Sequence, residues 1–247
     1  MSSIGRKLLG VLKKRYNSGM IVFAARQLFG GRVKQEDVFR NFNDECFVIA
    51  DGVSTSPHGE LAGRLASETA IWAYRHVRHR RFYWADKKLF LKRIFRSANL
   101  TVWQKQREKE FKEGLVTTLL VAIIGPQNIW VGSVGDSSAY LHHEGTLTKL
   151  TRDEVDESGR LTNAVGLKRL GLIPQIIAKK FFPGDCLLFA TDGVTNYVAD
   201  RDIIAACSGS GDTTKSIDTS VQALLRAAQK RNSTDNMTAC MVKRLRI

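Results

Sequence analysis

The sequence predicts an α+β fold in which antiparallel sheets are covered by helices. Short apolar runs between Gly- and Pro-containing turns predict strands, and three longer segments with apolar residues at helical spacing predict helices. Strands and helices do not alternate one by one, which disfavours a doubly wound parallel sheet and favours a sandwich. Hydrophobic residues make up 43% of the chain and charged residues 25%, as is usual for a globular protein.

The helices follow from the spacing of apolar residues. A short basic amphipathic helix is predicted over residues 1–16, before a strand-like run that starts at Ile21. A longer helix is predicted over 59–81 and a second over 86–110, where the initial Asp is a suitable N-cap. A third is predicted over 217–230.

The remaining strands lie after the second predicted helix. Apolar runs predict strands within 115–124, 128–150 and 181–193, and the middle segment contains a Glu-Gly turn. A last strand is predicted over 237–247. The Gly- and Ser-rich stretch 208–216 is expected to be a loop beside the functional site.

Three acidic positions lie at the ends of apolar runs. Asp51 and Asp192 each close a run that ends in Asp-Gly, and Asp235 stands with Asn236 just before the last predicted strand. An Asp-Gly pair is also a common hairpin turn, but neither pair is followed by the alternating strand that a hairpin requires. Carboxylates gathered at strand ends repel each other unless a cation lies between them, and Mg²⁺ and Mn²⁺ prefer oxygen ligands. The residues therefore predict a divalent metal site.

The chain is strongly basic, with a formal net charge of +14. Residues 1–34 hold eight Lys/Arg and no acid, and residues 75–109 hold twelve Lys/Arg and two acids, whereas the rest is mildly acidic. These segments either keep a helical face solvated or are candidates for docking an acidic protein or an anionic surface. Nucleic acid is disfavoured as a partner because the sequence has no stacking-aromatic motif.

Composition also indicates where in the cell the protein is expected to be. No apolar stretch approaches the roughly 20 residues of a membrane span, and lysines interrupt the N-terminal region where a secretory signal would be apolar. The four scattered cysteines form no Cys-x-x-Cys pair and are expected to be buried, reduced thiols. We expect a cytoplasmic protein with one domain over residues 21–247, preceded by a basic segment over 1–20.

Six motifs occur in a characteristic order, and they are GRVKQED, FVIADG, GLVTTLLVA, WVGSVGDSSAYL, GDCLLFATDGV and STDNMTACMV. Together they resemble the motifs of the type 2C (PPM-type) metal-dependent serine/threonine protein phosphatases, in the bacterial style, over residues 31–242. The resemblance implies a central antiparallel β-sandwich flanked by pairs of antiparallel helices. It also implies hydrolysis of phosphoserine and phosphothreonine in a phosphorylated protein by a water that bridges two Mg²⁺ or Mn²⁺ ions.

The resemblance assigns a first set of metal ligands. Asp51 resembles the catalytic carboxylate that bridges both metals, and the Gly52 carbonyl resembles a ligand of one of them. Asp192 and Asp235 resemble the remaining ligands of the first metal. Each of these acids is present at its motif position.

A second set surrounds the first. Glu36 resembles the acid on the side of the second metal and Asp37 a supporting carboxylate, although the pair could also be a solvated surface pair. Asp136 resembles a residue that helps to hold a third, weaker ion, or is a turn residue after Gly135. Arg32 resembles a catalytic arginine that binds the substrate phosphate, or is an ordinary surface arginine.

The sequence departs from the family pattern at three places. The loop after the first Asp-Gly lacks a Gly-Gly pair, and Val53 stands where some members have a histidine. His58 could approach the leaving group, but a role at the start of a helix is the alternative. The segment over 153–162 is a shortened flap. A catalytically silent relative that acts as a binding module, and an enzyme for other phosphomonoesters, therefore stay open as alternatives.

Overall fold

The computed structural model describes residues 21–54, 56–80, 86–112 and 114–246. Ten strands in these ranges form two five-stranded sheets, and every strand pairing in them is antiparallel. The predicted α+β sandwich of antiparallel sheets with helices is confirmed. The helix predicted over 1–16 and the basic segment over 1–20 lie outside the described residues.

The first sheet has the strand order β2-β3-β4-β5-β8 and the second has the order β1-β10-β9-β6-β7. The first comprises β2 (Asp37–Phe42), β3 (Cys46–Asp51), β4 (Leu119–Ile124), β5 (Asn128–Val134) and β8 (Gln175–Lys180). The second comprises β1 (Ile21–Leu28), β6 (Ser138–His143), β7 (Thr146–Lys149), β9 (Cys186–Ala190) and β10 (Met237–Arg244). The predicted Glu144-Gly145 turn joins β6 to β7, with both residues at positive φ.

Helices cover the outer face of each sheet. Helices α1 (Gly59–Val77) and α2 (Lys87–Lys105) pack on the first sheet, and α3 (Asp192–Thr195), α4 (Asp200–Gly209) and α5 (Thr214–Lys230) pack on the second. The predicted N-cap of α2 is confirmed, because the Asp86 side chain accepts a hydrogen bond from Leu89 N at 2.8 Å. None of the helices in the described ranges has the length and apolar character needed to cross a bilayer.

Apolar side chains fill the space between the sheets as well as the two helix–sheet interfaces. The Phe47 ring is fully buried between the sheets, 5.1 Å from the Phe23 ring and 6.2 Å from the Phe189 ring, measured between centroids. All four cysteines are buried and outside disulfides, as the sequence predicted.

A buried arginine links the two sheets through hydrogen bonds at one end of the sandwich. Arg244, the last residue of β10, donates from Nη1 to the Pro126 carbonyl at 2.7 Å and from Nη2 to the Gly125 carbonyl at 2.6 Å. These carbonyls lie in the turn between β4 and β5 of the other sheet. The guanidinium also stacks 4.8 Å above the Phe181 ring, so its charge is buried in contact with dipoles and an aromatic face.

The region after β9 differs from the sequence analysis in two ways. Helix α4 was not predicted, because it has only two buried residues, Ile203 and Cys207, and its sequence lacks a clear apolar stripe. The stretch predicted as a loop over 208–216 is a loop only in its middle, because 208–209 end α4 and 214–216 begin α5. It also does not lie beside the acidic residues. Its Asp212 pairs with Lys243 at 3.0 Å, and Lys243 lies at the end of β10 opposite to Asp235.

The buried position of Phe47 predicts a large loss of stability on truncation. We expect Phe47→Ala to lower the free energy of unfolding by about 3–5 kcal/mol, because a ring between the sheets leaves a cavity that neighbours cannot fill. Urea unfolding followed by circular dichroism measures this change. Phe182→Ala is the matched control, since that side chain is 47% exposed, and equal losses in both variants would contradict the packing described.

Candidate active site

Acidic residues from both sheets meet at the end of the sandwich opposite to Arg244. Asp37 begins β2 and Asp51 ends β3, and the two residues are direct partners across these strands. Asp192 follows β9 by two positions and Asp235 precedes β10 by two positions. Because β9 and β10 are antiparallel neighbours, Asp192 and Asp235 lie at the same end of these two strands.

Asp37 joins the two sheets at this end. Its side chain belongs to the first sheet, is 3% exposed, and accepts hydrogen bonds on Oδ2 from Thr191 Oγ1 at 2.9 Å and Thr238 Oγ1 at 2.7 Å in the second sheet. Its other oxygen, Oδ1, is buried without a hydrogen-bond partner. The surface-pair alternative is therefore wrong for Asp37, and its unpartnered oxygen is an acceptor that a proton, a water or a cation could satisfy.

Backbone hydrogen bonds fix the position of Asp51. Its carbonyl accepts from Thr118 N at 2.8 Å and from Thr117 Oγ1 at 2.9 Å, and its own amide donates to Thr118 Oγ1 at 2.9 Å. The Asp51 carboxylate has none of these contacts, so the main chain is anchored while the side chain faces the other acids.

The strand end and helix α1 approach each other more closely than side chains allow. A Cβ on Gly52 would lie 2.3 Å from the backbone of Gly59, and a Cβ on Gly59 would lie 3.0 Å from Glu36 Oε1. Gly52 N also donates to the Glu36 carbonyl at 3.2 Å. The glycine of the Asp-Gly pair is thus required by a close backbone contact rather than by a hairpin turn.

Asn236 organises the loop that carries Arg32 and Glu36. Its amide group donates to the Phe29 carbonyl at 3.0 Å and to the Lys34 carbonyl at 2.9 Å, and its Oδ1 accepts from Glu36 N at 2.7 Å. The side chain is buried, so this loop and the start of β10 form one unit.

Arg32 forms an ion pair with Asp235. Arg32 Nη2 lies 2.7 Å from Asp235 Oδ2, and both side chains are more than a third exposed. Asp235 Oδ1 accepts from Asn236 N at 2.8 Å. The guanidinium therefore lies at the rim of the acidic cluster, and the pKa of Arg32 is raised by its hydrogen bond to Asp235.

Burial and mutual repulsion raise the pKa values of the acids. Burial raises the pKa of Asp37 to about 7, although hydrogen bonds from Thr238 and Thr191 oppose the shift. Burial raises the pKa of Asp51 well above its usual range, and the charges of Asp37 and Asp192 add to the effect.

The pKa values of the outer acids, Asp192 and Glu36, are raised as well. Burial and the charge of Asp235 raise the pKa of Asp192, and burial raises the pKa of Glu36 despite the nearby charge of Arg32. These shifts show carboxylates that strongly resist being ionised together.

Asp136 lies in the turn after β5, next to Gly135 with φ of 95°. The turn alternative is therefore correct as a description of the backbone, but the carboxylate still belongs to the cluster. Burial raises the pKa of Asp136 to about 6, and the charge of Asp192 contributes.

The donor set fits a divalent cation, although it is not arranged as a finished site. Among the described residues, no three His, Cys, Asp or Glu side chains already surround one point as ligands. Asp235 illustrates the reason, because both of its oxygens bind other groups. The buried, unpartnered Oδ1 of Asp37 and the mutually repelling acids nevertheless supply hard oxygen atoms whose repulsion a cation would relieve.

His58 packs against an aromatic side chain. It precedes helix α1 without capping it, and its ring meets the Phe111 ring edge to face at a centroid distance of 5.0 Å. This contact supports the alternative in which His58 marks the start of the helix.

Three residues that position the acids were not singled out from the sequence. They are Thr118, Thr191 and Thr238, and each connects an acidic segment to a neighbouring strand. Asn236 was noted beside Asp235, but its contacts with the Arg32 loop were not expected. Their signal was present, because each stands inside one of the six ordered motifs around the acids. Their hydrogen-bond partners are distant in sequence, so spacing alone could not reveal them.

A family model described as protein phosphatase 2C matches residues 31–245. The chain belongs to the protein phosphatase 2C family. The resemblance that the ordered motifs indicated is thereby confirmed, and the match includes every acidic residue of the cluster.

Bacterial relatives support the same assignment. The serine/threonine phosphatase stp of Listeria monocytogenes is 23% identical over 239 residues, which is 87% of this chain and 92% of the relative. The serine/threonine protein phosphatase PstP of Mycobacterium tuberculosis is 28% identical over 176 residues, which is 64% of this chain and 33% of that longer relative.

Solved structures share the fold. The M. tuberculosis phosphatase PstP/Ppp superposes with a TM-score of 0.77 at 22% identity, covering 92% of this chain and 99% of that one. The PstP catalytic domain in complex with two manganese ions gives 0.75 at 24% identity, with 92% and 99% coverage. The serine/threonine phosphatase of S. agalactiae gives 0.79 at 19% identity, with 91% and 99% coverage.

The raised pKa values predict that acid stabilises the protein when divalent cations are chelated. Burial raises the pKa of Asp37 from about 4 in the unfolded chain to about 7 in the folded protein, so ionisation of this carboxyl penalises folding as the pH rises through this window. We expect the free energy of unfolding in EDTA to be about 2 kcal/mol higher at about pH 5 than at about pH 8. Urea titrations at both pH values measure the difference.

The Asp37→Asn variant is the control for this pH dependence. Asparagine keeps an oxygen that can accept from the two threonines but cannot ionise, so the difference between the two pH values should shrink. An unchanged difference would show that other groups cause it.

Proposed function

We propose that this protein is a metal-dependent serine/threonine phosphatase that uses two Mg²⁺ or Mn²⁺ ions. The observation that carries the proposal is the buried carboxylate cluster formed by both sheets, with an unpartnered oxygen on Asp37 and an arginine at its rim. Family membership and the phosphatase names of the relatives support the reaction class.

The cluster offers the ligands that the family pattern implies. Asp51 would bridge two ions, and the Gly52 carbonyl, Asp192 and Asp235 would complete the shell of one of them. Glu36 would serve the second ion, while Asp37 would support the bridging carboxylate. Asp136, whose pKa is raised in part by the charge of Asp192, would help to hold a third and weaker ion.

When bound, two cations would lower the pKa of a water and stabilise negative charge on the phosphoryl oxygens. The side chains of the chain itself provide position and charge. Arg32 would bind two phosphate oxygens with its planar guanidinium and orient the phosphorus toward the carboxylates. The hydrogen bonds from Thr117 and Thr118 would hold the Asp51 main chain in place while its carboxylate binds an ion.

The substrate we propose is a phosphorylated protein. Arg32 is more than a third exposed, and it lies on a loop at the protein surface rather than inside a closed pocket. A phosphorylated side chain on a protein surface can reach such a position, and the basic residues within 75–80 and 86–109 would add a wider attraction for anions.

A catalytically silent relative is the second candidate. The observation that favours it is the ion pair between Arg32 and Asp235, which occupies a carboxylate oxygen that a metal ion would need. A measurement of phosphatase turnover distinguishes the active enzyme from the silent relative directly.

The first test is hydrolysis of para-nitrophenyl phosphate and of a phosphothreonine peptide with and without Mn²⁺. We expect turnover that requires Mn²⁺ and falls roughly 100-fold or more in Asp192→Ala, because a ligand is removed from a shared site. Asp212→Ala is the matched control, since that carboxylate lies at the other end of the sandwich. A folded, Mn²⁺-binding protein without turnover would favour the silent relative.

The ion pair at the rim predicts opposite effects on substrate and metal. Arg32→Ala should raise the KM for a phosphothreonine peptide roughly tenfold, because a charge-assisted contact to phosphate is lost. The same variant should bind Mn²⁺ at least as tightly as the unmodified protein, because Asp235 is released. Steady-state kinetics and calorimetry measure the two effects, and an unchanged KM would remove Arg32 from the substrate site.

A further inference from the structure

An apolar and basic groove, here called the α2 groove, lies between helix α2 and the loop over residues 166–174. It encloses about 350 Å³ and is lined by Lys92, Arg96, Arg169, Leu170 and Ile173, among others. Leu170 is 66% exposed and Ile173 is 74% exposed. Two large aliphatic side chains exposed so close together are a feature of interaction sites.

The fold holds this loop in place. The buried Asn99 side chain donates to the carbonyls of Lys168 at 2.8 Å and Arg169 at 3.1 Å, and it accepts from Gly166 N at 2.8 Å. Leu172 packs inward against the core below helix α2. The exposure of its aliphatic neighbours is therefore imposed by an anchored backbone.

The charge of the groove has one sign. Its lining includes three cations and, in the part of the chain that is described, no carboxylate. Within the same residues, Lys92 and Arg96 form no ion pair. The Arg169 guanidinium lies 5.1 Å from the centre of the Trp103 ring, which orients it without neutralising its charge. The groove is thus complementary to a negatively charged ligand with apolar groups.

A short backbone path connects the groove to the acidic cluster. Gly52 forms a β-bridge with Thr117, and Thr117 forms a second bridge with Val165, the residue just before the loop. Two strand spacings correspond to roughly 10 Å, so the start of the loop lies about that far from Gly52. The groove lies further along the loop, and a polypeptide seated in it would reach the cluster by following the loop back past Val165.

We propose that the α2 groove binds a protein segment that carries acidic and bulky aliphatic side chains, so that a phosphorylated residue of the same protein reaches the acidic cluster. The delivery of the phosphorylated residue rests on the proposed function, whereas the binding does not. Nucleic-acid bases fit less well because the exposed side chains are aliphatic and offer no stacking face. A flat bilayer fits less well because the apolar side chains line a concavity.

Binding is tested by fluorescence anisotropy on the full chain in EDTA. The probe is a fluorescein-labelled peptide in which Glu and Leu alternate, and the two comparison peptides replace Glu by Gln or Leu by Ala. We expect saturable binding of the first peptide, weakened by salt, and roughly tenfold or greater losses for both comparisons. Equal binding of the Gln peptide would overturn the proposal.

Protein variants locate the site. Lys92→Glu with Arg96→Glu removes the charge, and Leu170→Ser with Ile173→Ser removes the apolar contacts, and each pair should weaken binding roughly tenfold or more. Lys179→Glu with Lys180→Glu is the matched control, since these exposed lysines lie at the end of β8 away from the loop. Circular dichroism and para-nitrophenyl phosphate turnover should stay unchanged in all three pairs.

The outcomes separate this proposal from the proposed function. Peptide binding in a protein without phosphatase turnover would retain the groove and reject the enzyme, and turnover without peptide binding would do the reverse. Equal weakening by the control pair would show a diffuse charge effect and overturn the assignment. Loss of binding to phosphatidylglycerol vesicles, with no effect on peptide, would assign the groove to a membrane instead.

Discussion

The carboxylate of Asp37 is the constraint on which both the fold and the site depend. It is buried where the sheets meet, and one oxygen accepts from threonines of the opposite sheet while the other has no partner. A buried carboxylate of this kind is costly unless it is protonated or lies near a cation. The association of the sheets at this end is therefore linked to the charge state of the neighbouring acids, whereas Arg244 clasps the opposite end without such dependence.

The main chain does most of the positioning around the cluster. Asp51 is fixed through its carbonyl and amide, Gly52 through its contact with the start of helix α1, and the Arg32 loop through Asn236. The carboxylate of Asp51 is consequently left to face those of Asp37 and Asp192. The α2 groove is also positioned through the main chain. The Asn99 side chain donates to backbone carbonyls of the loop and leaves the aliphatic side chains of the loop exposed to solvent.

The sequence was sufficient for the sandwich and for the approach of the strand-end acids, because strand patterning places Asp51 and Asp192 where buried strands stop. It was insufficient for helix α4, whose short buried face gives little periodic signal. It also misplaced the stretch 208–216, since the end of the sandwich to which a loop belongs depends on pairing distant in sequence. The unpartnered oxygen of Asp37 and the Arg32–Asp235 pair depend on three-dimensional contacts that no motif specifies.

The place of β10 in the chain has a consequence for synthesis. This strand lies between β1 and β9, and it is the only partner of β1 among the described strands. Asp235, Asn236 and Thr238 come from the same short stretch, which follows every other element in chain order. During synthesis, β1 therefore has no strand partner, and the acidic cluster lacks Asp235, until residue 244 has left the ribosomal exit tunnel. The nascent chain gains its sheet edge and its cluster together, in one late step.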